Sequence, residues 1–441
     1  MNEVQEEGNP LSQDFDIKSL LKFALPTIIM MLLMGLYTIV DTIFVARFVG
    51  TNALSALNIV CPVINLIVGL GTMLATGGSA IVARKMGAGE TVRASQDFTL
   101  IIGAGALFGV IITVLGTALI DNMIRGLGAS GILFPYCKEY LSILLLFTPA
   151  SMLQVLFQNL IVTAGRPGFG MALGISAGAA NILFDYIFMV PLQMGIKGAA
   201  LGTGIGYLIP TVAGILFFTA GNGSLHFRRP VMDIFVLAGS CANGFSEMVS
   251  QGAAAVTTFL FNRTMMNLLG EDGVAAITII IYTQFLLTAL YIGFSMGVAP
   301  VISYNYGKQD NGRLKKVFSV CMRFIILVSI VIFGMAVAFG SPLVSLFSEK
   351  GTHVYEIARR GFFDIPIQFS FLWDEHFYFS HIHCAVKWEV VSGIILPADI
   401  WADICAVADT ARIYGSDGSV AGSTDCGVAY NGGGFGFSLS E

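Results

Sequence analysis

The chain consists mainly of long apolar segments separated by short polar loops. Nine such segments can be delimited, and each exceeds the roughly 20 residues that an α-helix needs to cross a bilayer. Charged residues make up 12% of the chain, against roughly 25% in soluble proteins. The pattern predicts an all-α, polytopic protein surrounded by the lipid bilayer. The nine predicted spans, numbered in chain order, cover residues 18–46, 53–83, 98–120, 139–165, 168–192, 196–220, 234–261, 274–304 and 317–347.

Composition and the N-terminus exclude several classes of protein. The net charge of −5 comes from loops and a few intramembrane positions, so it says little about acidic or basic partners. No nucleic-acid partner is expected. The seven cysteines show no CxxC spacing, and we interpret them as apolar packing residues. The acidic start MNEVQEEGNPLSQDFD lacks the features of a signal peptide, so span 1 is expected to remain uncleaved. Pro26, Pro62 and Pro300 fall inside spans and predict kinks.

The basic residues predict the orientation of the chain in the membrane. With the N-terminus inside, thirteen Lys and Arg residues lie on the cytoplasmic side and five on the other side, up to the end of span 9. Cytoplasmic loops of membrane proteins carry an excess of these residues. We therefore expect a multi-pass protein of the plasma or bacterial inner membrane with a cytoplasmic N-terminus.

A weak internal repeat occurs at an offset of 220 residues. GTNALSALNI at 50–59 aligns with GEDGVAAITI at 270–279. An even number of spans separates the copies, so the two halves point the same way, as parallel repeats do in many transporters. We expect an N-lobe at 1–220, a cytoplasmic linker at 221–233 and a partial C-lobe at 234–361. Further matches in this register are Gly77, Gly87, Arg93 and Phe98 with Gly297, Gly307, Arg313 and Phe318.

The last part of the chain has a different character. All three tryptophans lie there, and segments such as LPADIWADICAVADTARIYG are too acidic and too interrupted to form the expected spans 10 to 12. We hypothesise that the reading frame slips near 360–366, so that 362–441 is an aberrant tail. A soluble appendage is the alternative. The HIHC stretch at 381–384 resembles metal-ligand spacing, but it has no second ligand cluster and no metal site is expected there.

One carboxylate, Asp41, interrupts the otherwise uncharged run from Phe23 to Ala46. An acid at the centre of a span costs roughly 2.5–3.5 kcal/mol of insertion free energy, so it normally faces a cavity or a partner. The alternative is that the acid reaches the membrane interface without a function. We expect Asp41 to have polar neighbours on other spans.

Span 5 and span 6 provide candidates for these neighbours. Asn181 and Asp185 are four residues apart and share one face of span 5. A rise of about 1.5 Å per residue places Asp41, Asp185 and Thr203 of span 6 at the same depth. Tyr37 lies one turn below Asp41 and can add a hydroxyl group. The sequence therefore predicts one polar group formed by three spans.

The expected ligand of this group is a small positive ion. Carboxylate, carboxamide and hydroxyl oxygens bind hard cations, and two neighbouring acids can also share a proton. These oxygens serve H+ and Na+ equally, and Na+ would bind at Asp41, Asn181, Asp185 and Thr203. No catalytic residue and no cofactor are expected. Glu247, about 20 Å along span 7, is a second intramembrane acid.

Several spaced motifs carry a resemblance to a known family. They are ALP at 24–26, VDTIFVARFVG at 40–50, AGRPGFGM at 164–171, NILFDYIFM at 181–189, GIKGAALGTGIGY at 195–207, SEMVSQGAAA at 246–255 and GVAPVISYNYG at 297–307. Together they resemble the multidrug and toxic compound extrusion (MATE) family of bacterial efflux transporters. The resemblance covers about residues 15–361.

The resemblance implies a fold, a function and roles for individual residues. Two six-helix lobes would surround a cavity that opens alternately to each side, and a monomer would export organic cations and amphipathic drugs in exchange for H+ or Na+. Pro26 would be a helix bend that responds to ion occupancy, and Glu247 would be the acid of the C-lobe. The coupling ion would bind at Asp41, Asn181, Asp185 and Thr203, with Tyr37 nearby.

Three other functions compete with antiport. A lipid-linked oligosaccharide flippase would need basic side chains in its cavity, whereas the N-lobe spans contain carboxylates. An intramembrane enzyme is not expected, because no HExxH, GxGD or P-loop motif occurs. A channel would repeat its charged ring by symmetry, but Asp41 aligns with Phe261. A truncated transporter without activity is a further alternative, because the resemblance ends near residue 361.

Overall fold

The computed structural model describes residues 10–221, 224–347 and 355. Within these ranges all regular elements are helical, which confirms the predicted all-α class. A 3-10 turn at Pro10–Ser12 precedes α1, and a π-helical turn at Val45–Val49 follows it. The α-helices are α1 Ile17–Phe44, α2 Thr51–Gly87, α3 Thr91–Gly126, α4 Phe134–Leu146, α5 Thr148–Thr163, α6 Pro167–Met189, α7 Ile196–Thr219, α8 Ile234–Gly307 and α9 Asn311–Phe347.

Most helices correspond to predicted spans, and α2, α3 and α9 extend beyond them. For example, α3 covers Thr91–Gly126, whereas span 3 was predicted at 98–120. The added turns are polar, and helices can continue past the hydrocarbon core without loss of hydrogen bonds. Among the residues that the structure describes, five helices are long and apolar enough to cross a membrane, and α4 with α5 would make a sixth span. The chain is thus a multi-pass membrane protein.

Two local signals define α1. At its start, the Ser19 amide donates to the Asp16 carboxylate at 2.8 Å and the Asp16 amide donates to the Ser19 hydroxyl at 2.8 Å, which forms a capping box. Beyond its end, Gly50 has a φ of +113°, which L side chains rarely adopt, and the chain reverses into α2. Pro26 lies inside α1.

The prediction that span 4 is one continuous helix over 139–165 is wrong. In the structure α4 and α5 meet at an angle of 54°. Pro149 has no N–H to donate to the Leu145 carbonyl, and its ring clashes with that carbonyl in a straight helix. The hydroxyl of Thr113 on α3 donates to the freed Leu145 oxygen at 2.6 Å. Gly109 of α3 leaves room for the bend, because a Cβ atom there would lie 2.5 Å from the Pro149 Cα.

Spans 7 and 8 were predicted as separate helices at 234–261 and 274–304. In the structure both belong to α8, whose backbone is helical over 74 residues. The polar stretch between them keeps a helical conformation, which local composition did not indicate. The connection between spans 7 and 8 is therefore helical, whereas separate helices were predicted.

The helical segment α8 nevertheless turns back on itself. If straight, it would measure about 110 Å. Its Ser240 and Tyr304 both contact α2, at Gly77 and Gly87, which are less than three turns apart. The reversal lies between Gln251 and 293. Both halves of α8 therefore pack on the same region of α2, and these two helices form the most extensive contact in the described fold.

The end of the bundle where α1 begins and where α2 and α8 end is called the proximal end below. The segment before α1 is bound there, since Arg313 of α9 donates to the Ser12 carbonyl at 2.6 Å and Lys316 pairs with Asp14 at 3.1 Å. The largest core cluster lies at this end. It joins residues of α1 to α3 and α5 to α7 with residues of α8 and α9, including Leu20, Leu74, Phe98, Leu156, Phe294, Val298 and Val301.

The predicted boundaries of the lobes and the linker stay predictions. The structure shows that the chain after α7 packs back on the first seven helices: Leu225 is fully buried, and the Arg228 amide donates to the Thr99 hydroxyl at 3.1 Å. The hypotheses on the tail at 362–441 and on the HIHC stretch concern residues outside those that the structure describes.

Candidate functional site

The two acids predicted to meet, Asp41 of α1 and Asp185 of α6, lie close enough to interact electrostatically. Asp185 is completely buried, and Asp41 is partly buried. The two side chains come from helices that run in the same direction and contact each other along much of their length. The geometry thus joins the acids of spans 1 and 5, as their calculated depths indicated.

Small residues on α6 and α7 allow the helices to approach closely enough for these contacts. On α6, Gly174 and Gly178 face Met30 and Tyr37 of α1, and a Cβ atom at Gly178 would lie 3.0 Å from the Tyr37 ring. On α7, glycines recur every four residues and face α6. A spacing of four places them on one helical face, where they act as small residues do between membrane helices.

The glycines of α7 determine where Asp185 and Asn181 sit. A Cβ atom at Gly202 would collide with the Asp185 carboxylate, and one at Gly206 would lie 3.4 Å from the Asn181 Cβ. The Asn181 amide donates to the Thr203 hydroxyl at 3.4 Å. Asn181 and Thr203 are therefore joined by a hydrogen bond, and the carboxylates of Asp185 and Asp41 lie beside them.

Several buried oxygens in this group have no hydrogen-bond partner. They are Oδ1 of Asp41, Oδ1 of Asn181 and both carboxylate oxygens of Asp185. Nearly all buried polar atoms in proteins are paired, so an unpaired cluster requires an explanation such as a bound ion. Carboxylate and carboxamide oxygens are the donor set that a small hard cation prefers. The residues present thus fit H+ or Na+ chemically.

Two further side chains belong to the surroundings of the acids and were missed by sequence reasoning. Tyr140 of α4 and Tyr207 of α7 both interact electrostatically with Asp41. Tyr207 could have been found, because it lies one turn after Thr203 on the same face of span 6. Tyr140 gave no such signal, because its position depends on the bend between α4 and α5.

Two of the predicted functional residues lie elsewhere. Pro26 is about four turns below Asp41 on α1, next to the segment that contacts α8. Glu247 is partly buried on α8, one turn from Gly244, which packs against Met73 of α2. Because Met73 is near the middle of α2, these contacts place Glu247 opposite the central part of that helix. The roles assigned to both residues stay predictions.

A second buried acid outside the site is paired with a base. Asp97 of α3 is 6% exposed and forms an ion pair with Lys85 of α2. By contrast, within the described residues neither Asp41 nor Asp185 forms an ion pair with Lys, Arg or His. The same part of the chain contains no group of three or more His, Cys, Asp or Glu side chains that could hold a metal ion.

Comparison with known proteins gives relatives of similar length. The chain is 24% identical over 341 residues to the Multidrug export protein MepA of Staphylococcus saprophyticus, covering 76% of this chain and 75% of that protein. It is 26% identical over 339 residues to MepA of Staphylococcus haemolyticus, covering 75% and 73%.

The fold matches solved structures over almost its whole length. One is the outward-facing conformation of a multidrug resistance MATE family transporter of the MOP superfamily, with a TM-score of 0.79 and 18% identity over 92% of this chain and 95% of that chain. A model of the MatE family matches residues 26–187 and 248–365, which together are more than half of the chain. The chain therefore belongs to the MatE family of multidrug and toxic compound extrusion transporters.

Proposed function

We propose that the chain is a cation-coupled multidrug antiporter. It exports organic cations and amphipathic drugs while H+ or Na+ moves inward. The observation that carries this proposal is the cluster of unpaired buried oxygens on Asp41, Asn181 and Asp185. A group of this kind requires a positive partner, and a transported cation is the partner that a membrane transporter can supply.

The contrast between two buried acids supports this assignment. Asp97 has its positive partner in the chain itself, because Lys85 contacts it directly. Asp41 and Asp185 face each other instead, and two adjacent carboxylates cannot both remain charged in a buried site without a cation or a proton. The pair at Asp41 and Asp185 thus binds a mobile charge, whereas the pair at Asp97 and Lys85 is structural.

Helix α1 connects this site with the contact between the two halves of the fold. It carries Asp41 toward one end, and its segment around Ala24 and Ile28 packs against α8. Pro26 lies within that segment and lacks the N–H that would hold the helix straight. When an ion neutralises Asp41 and Asp185, we expect α1 to bend at Pro26 and to change its packing on α8.

Coupling follows from differential binding. A ligand shifts a conformational equilibrium only by its difference in affinity between the two states. The inward-moving cation must therefore stabilise one arrangement of the helices and the drug the other. The relatives named MepA are described as multidrug export proteins, which supports a broad drug specificity. We assign Glu247 as the acid that meets cationic drugs in the C-lobe of a monomeric transporter.

The orientation follows from the charges at the proximal end. Five arginines lie at this end of the bundle, namely Arg84, Arg93, Arg166, Arg228 and Arg313. Because cytoplasmic loops are enriched in basic residues, we assign the proximal end and the N-terminus to the cytoplasmic side of the plasma membrane.

The test is drug transport by the full chain in liposomes under separately imposed pH and Na+ gradients. Asp41→Asn and Asp185→Asn each remove one carboxylate and are expected to abolish gradient-driven drug movement. Asp121→Asn is the matched control, because Asp121 is a half-buried acid on α3 that already has a positive partner, Lys138, at 2.8 Å. Coupled transport that persists in both site variants would contradict the proposal.

A further inference from the structure

Close backbone contacts at the proximal end follow the 220-residue repeat. A Cβ atom at Gly77 of α2 would lie 2.8 Å from the Gly244 nitrogen of α8. In the register of the repeat, Gly77 corresponds to Gly297, and Gly244 corresponds to Ala24. A Cβ atom at Gly297 would lie 2.9 Å from the Ala24 Cα. The same contact is thus made twice, with the two halves of the chain exchanged.

A second pair of contacts obeys the same rule. A Cβ atom at Gly87 of α2 would collide with the carbonyl oxygen of Tyr304, and one at Gly307 of α8 would collide with the carbonyl oxygen of Arg84. These two contacts are again exchanged by the offset of 220 residues. The four glycines Gly77, Gly87, Gly297 and Gly307 are called the gate glycines below.

The atoms that meet the gate glycines are mainly backbone atoms. A flexible side chain could rotate away from a new methyl group, but a helix backbone can only move as a whole. The described contacts therefore form only when these positions have no side chain. Any added Cβ atom must push α2 and α8, or α8 and α1, apart at this end.

We propose that the gate glycines form the proximal gate of the transporter, closed in this structure and open when the two halves separate. This inference rests on the proposed alternating access. Glycine surfaces have no interlocking side chains, so the helices can part without disengaging large groups. Addition of a methyl group penalises the closed state, in which the backbones touch, and has no such effect on the open state.

The connection between α7 and α8 permits such a movement. Phe227 packs on Phe98 with ring centroids 5.1 Å apart, so the chain is held on α3 up to Arg228. Val231 and Met232 follow, with exposed fractions of 57% and 83%, before α8 begins. This short exposed segment is the only link along the chain between the anchored residues and α8, and it can act as a hinge.

The test measures closure directly with a pair of introduced cysteines. Ala88 and Gln309 are exposed and directly follow the residues of the Gly87 contact, where Lys308 lies next to Gly87. In the full chain with its seven native cysteines replaced by alanine, Ala88→Cys and Gln309→Cys are joined by a short bifunctional thiol reagent in liposomes. The cross-linked fraction reports the closed state and requires neither drug nor ion.

Gly77→Ala and its repeat counterpart Gly297→Ala are each expected to lower the closed-to-open ratio by about tenfold, since overpacking of this kind acts on the closed state alone. The matched control is Gly103→Ala on α3, where a Cβ atom would meet nothing within 4 Å. This variant is expected to cross-link like the parent chain.

Two results would overturn the gate. One is the absence of cross-linking in the parent chain. The other is a cross-linked fraction in Gly77→Ala and Gly297→Ala equal to that in Gly103→Ala. Two positions related by the repeat are tested, so the failure of one variant to fold leaves the other informative, and the parent chain is informative by itself. Normal cross-linking without cation-driven transport would count against the proposed function and leave the gate intact.

Discussion

The Asn181 amide donates a hydrogen bond to the Thr203 hydroxyl at 3.4 Å, which joins α6 to α7 one helical turn from Asp185. This contact depends on the close approach of the two helices at Gly202 and Gly206. The polar group therefore forms only where the glycines of α7 let the two helices come close together. A change in helix packing should alter the ion site without any change in its charged residues.

Gly202→Ala tests this dependence. The new methyl group would collide with the Asp185 carboxylate and displace it from Asp41. Overpacking costs about 1–3 kcal/mol, so the half-saturating concentration of the coupling cation in liposome transport should rise by about tenfold. Gly168→Ala on α6 is the control, because a Cβ atom there meets nothing within 4 Å. An equal half-saturating concentration in both variants would contradict the prediction.

Thr113→Val removes the donor that satisfies the Leu145 carbonyl at the bend between α4 and α5. An unpaired buried carbonyl costs about 1–3 kcal/mol, so the thermal unfolding midpoint in detergent should fall. Thr117→Val is the comparison, since the Thr117 hydroxyl bonds only within α3 and is exposed. If both variants unfold at the same temperature, the bend does not depend on this hydrogen bond.

Lys85→Met leaves Asp97 buried without its positive partner. Removal of one member of a buried ion pair costs about 3–5 kcal/mol, so this variant should unfold well below the parent chain. The double variant Lys85→Met with Asp97→Leu removes both charges and should recover most of the lost stability. The measurement is the thermal unfolding midpoint of both variants. A double variant that unfolds at a lower temperature than Lys85→Met would show that the pair does not have a purely structural role.

Phe98→Ala removes a fully buried ring whose centroid lies 4.5 Å from that of Phe218 and 5.1 Å from that of Phe227. Truncation of a buried Phe costs about 3–5 kcal/mol of unfolding free energy. The loss of the contact with Phe227 should also release the backbone at Arg228, so that trypsin cleaves faster after this residue, whereas the bond after Arg229 precedes Pro230 and resists trypsin. Phe108→Ala on the same helix is the control, because Phe108 is 40% exposed, and its cleavage rate should match that of the parent.

The capping box at the start of α1 makes a prediction about pH. Hydrogen bonds from the Ser19 hydroxyl and amide hold the pKa of Asp16 below its ordinary value of 3.8. The cap thus adds stability above pH 3.8, and this contribution disappears as the pH falls through the lowered pKa in the folded protein. The unfolding midpoint of the parent minus that of Asp16→Asn should therefore shrink on acidification. A difference that grows at low pH would show the opposite linkage.

Some parts of the site could be predicted from helix geometry alone. The rise per residue along a helix places Asp41 and Asp185 at one depth, and the spacing of four places Asn181 and Asp185 on one face. These relations hold inside any straight helix that crosses a bilayer. The position of Tyr207 follows from the same rule, whereas Tyr140 does not, because α4 reaches the site only through the bend before Pro149.

By itself, the sequence determined that the chain is an all-helical membrane protein and which polar residues stand out within its spans. The bilayer imposes the length of each apolar helix and the high cost of a charge inside it, so both signals can be read locally. The tertiary structure alone decided the bend between α4 and α5, the reversal within α8 and the close contacts of Gly77 and Gly297. These features depend on which helix lies opposite each residue, and such pairings between distant segments leave no periodic pattern in the chain.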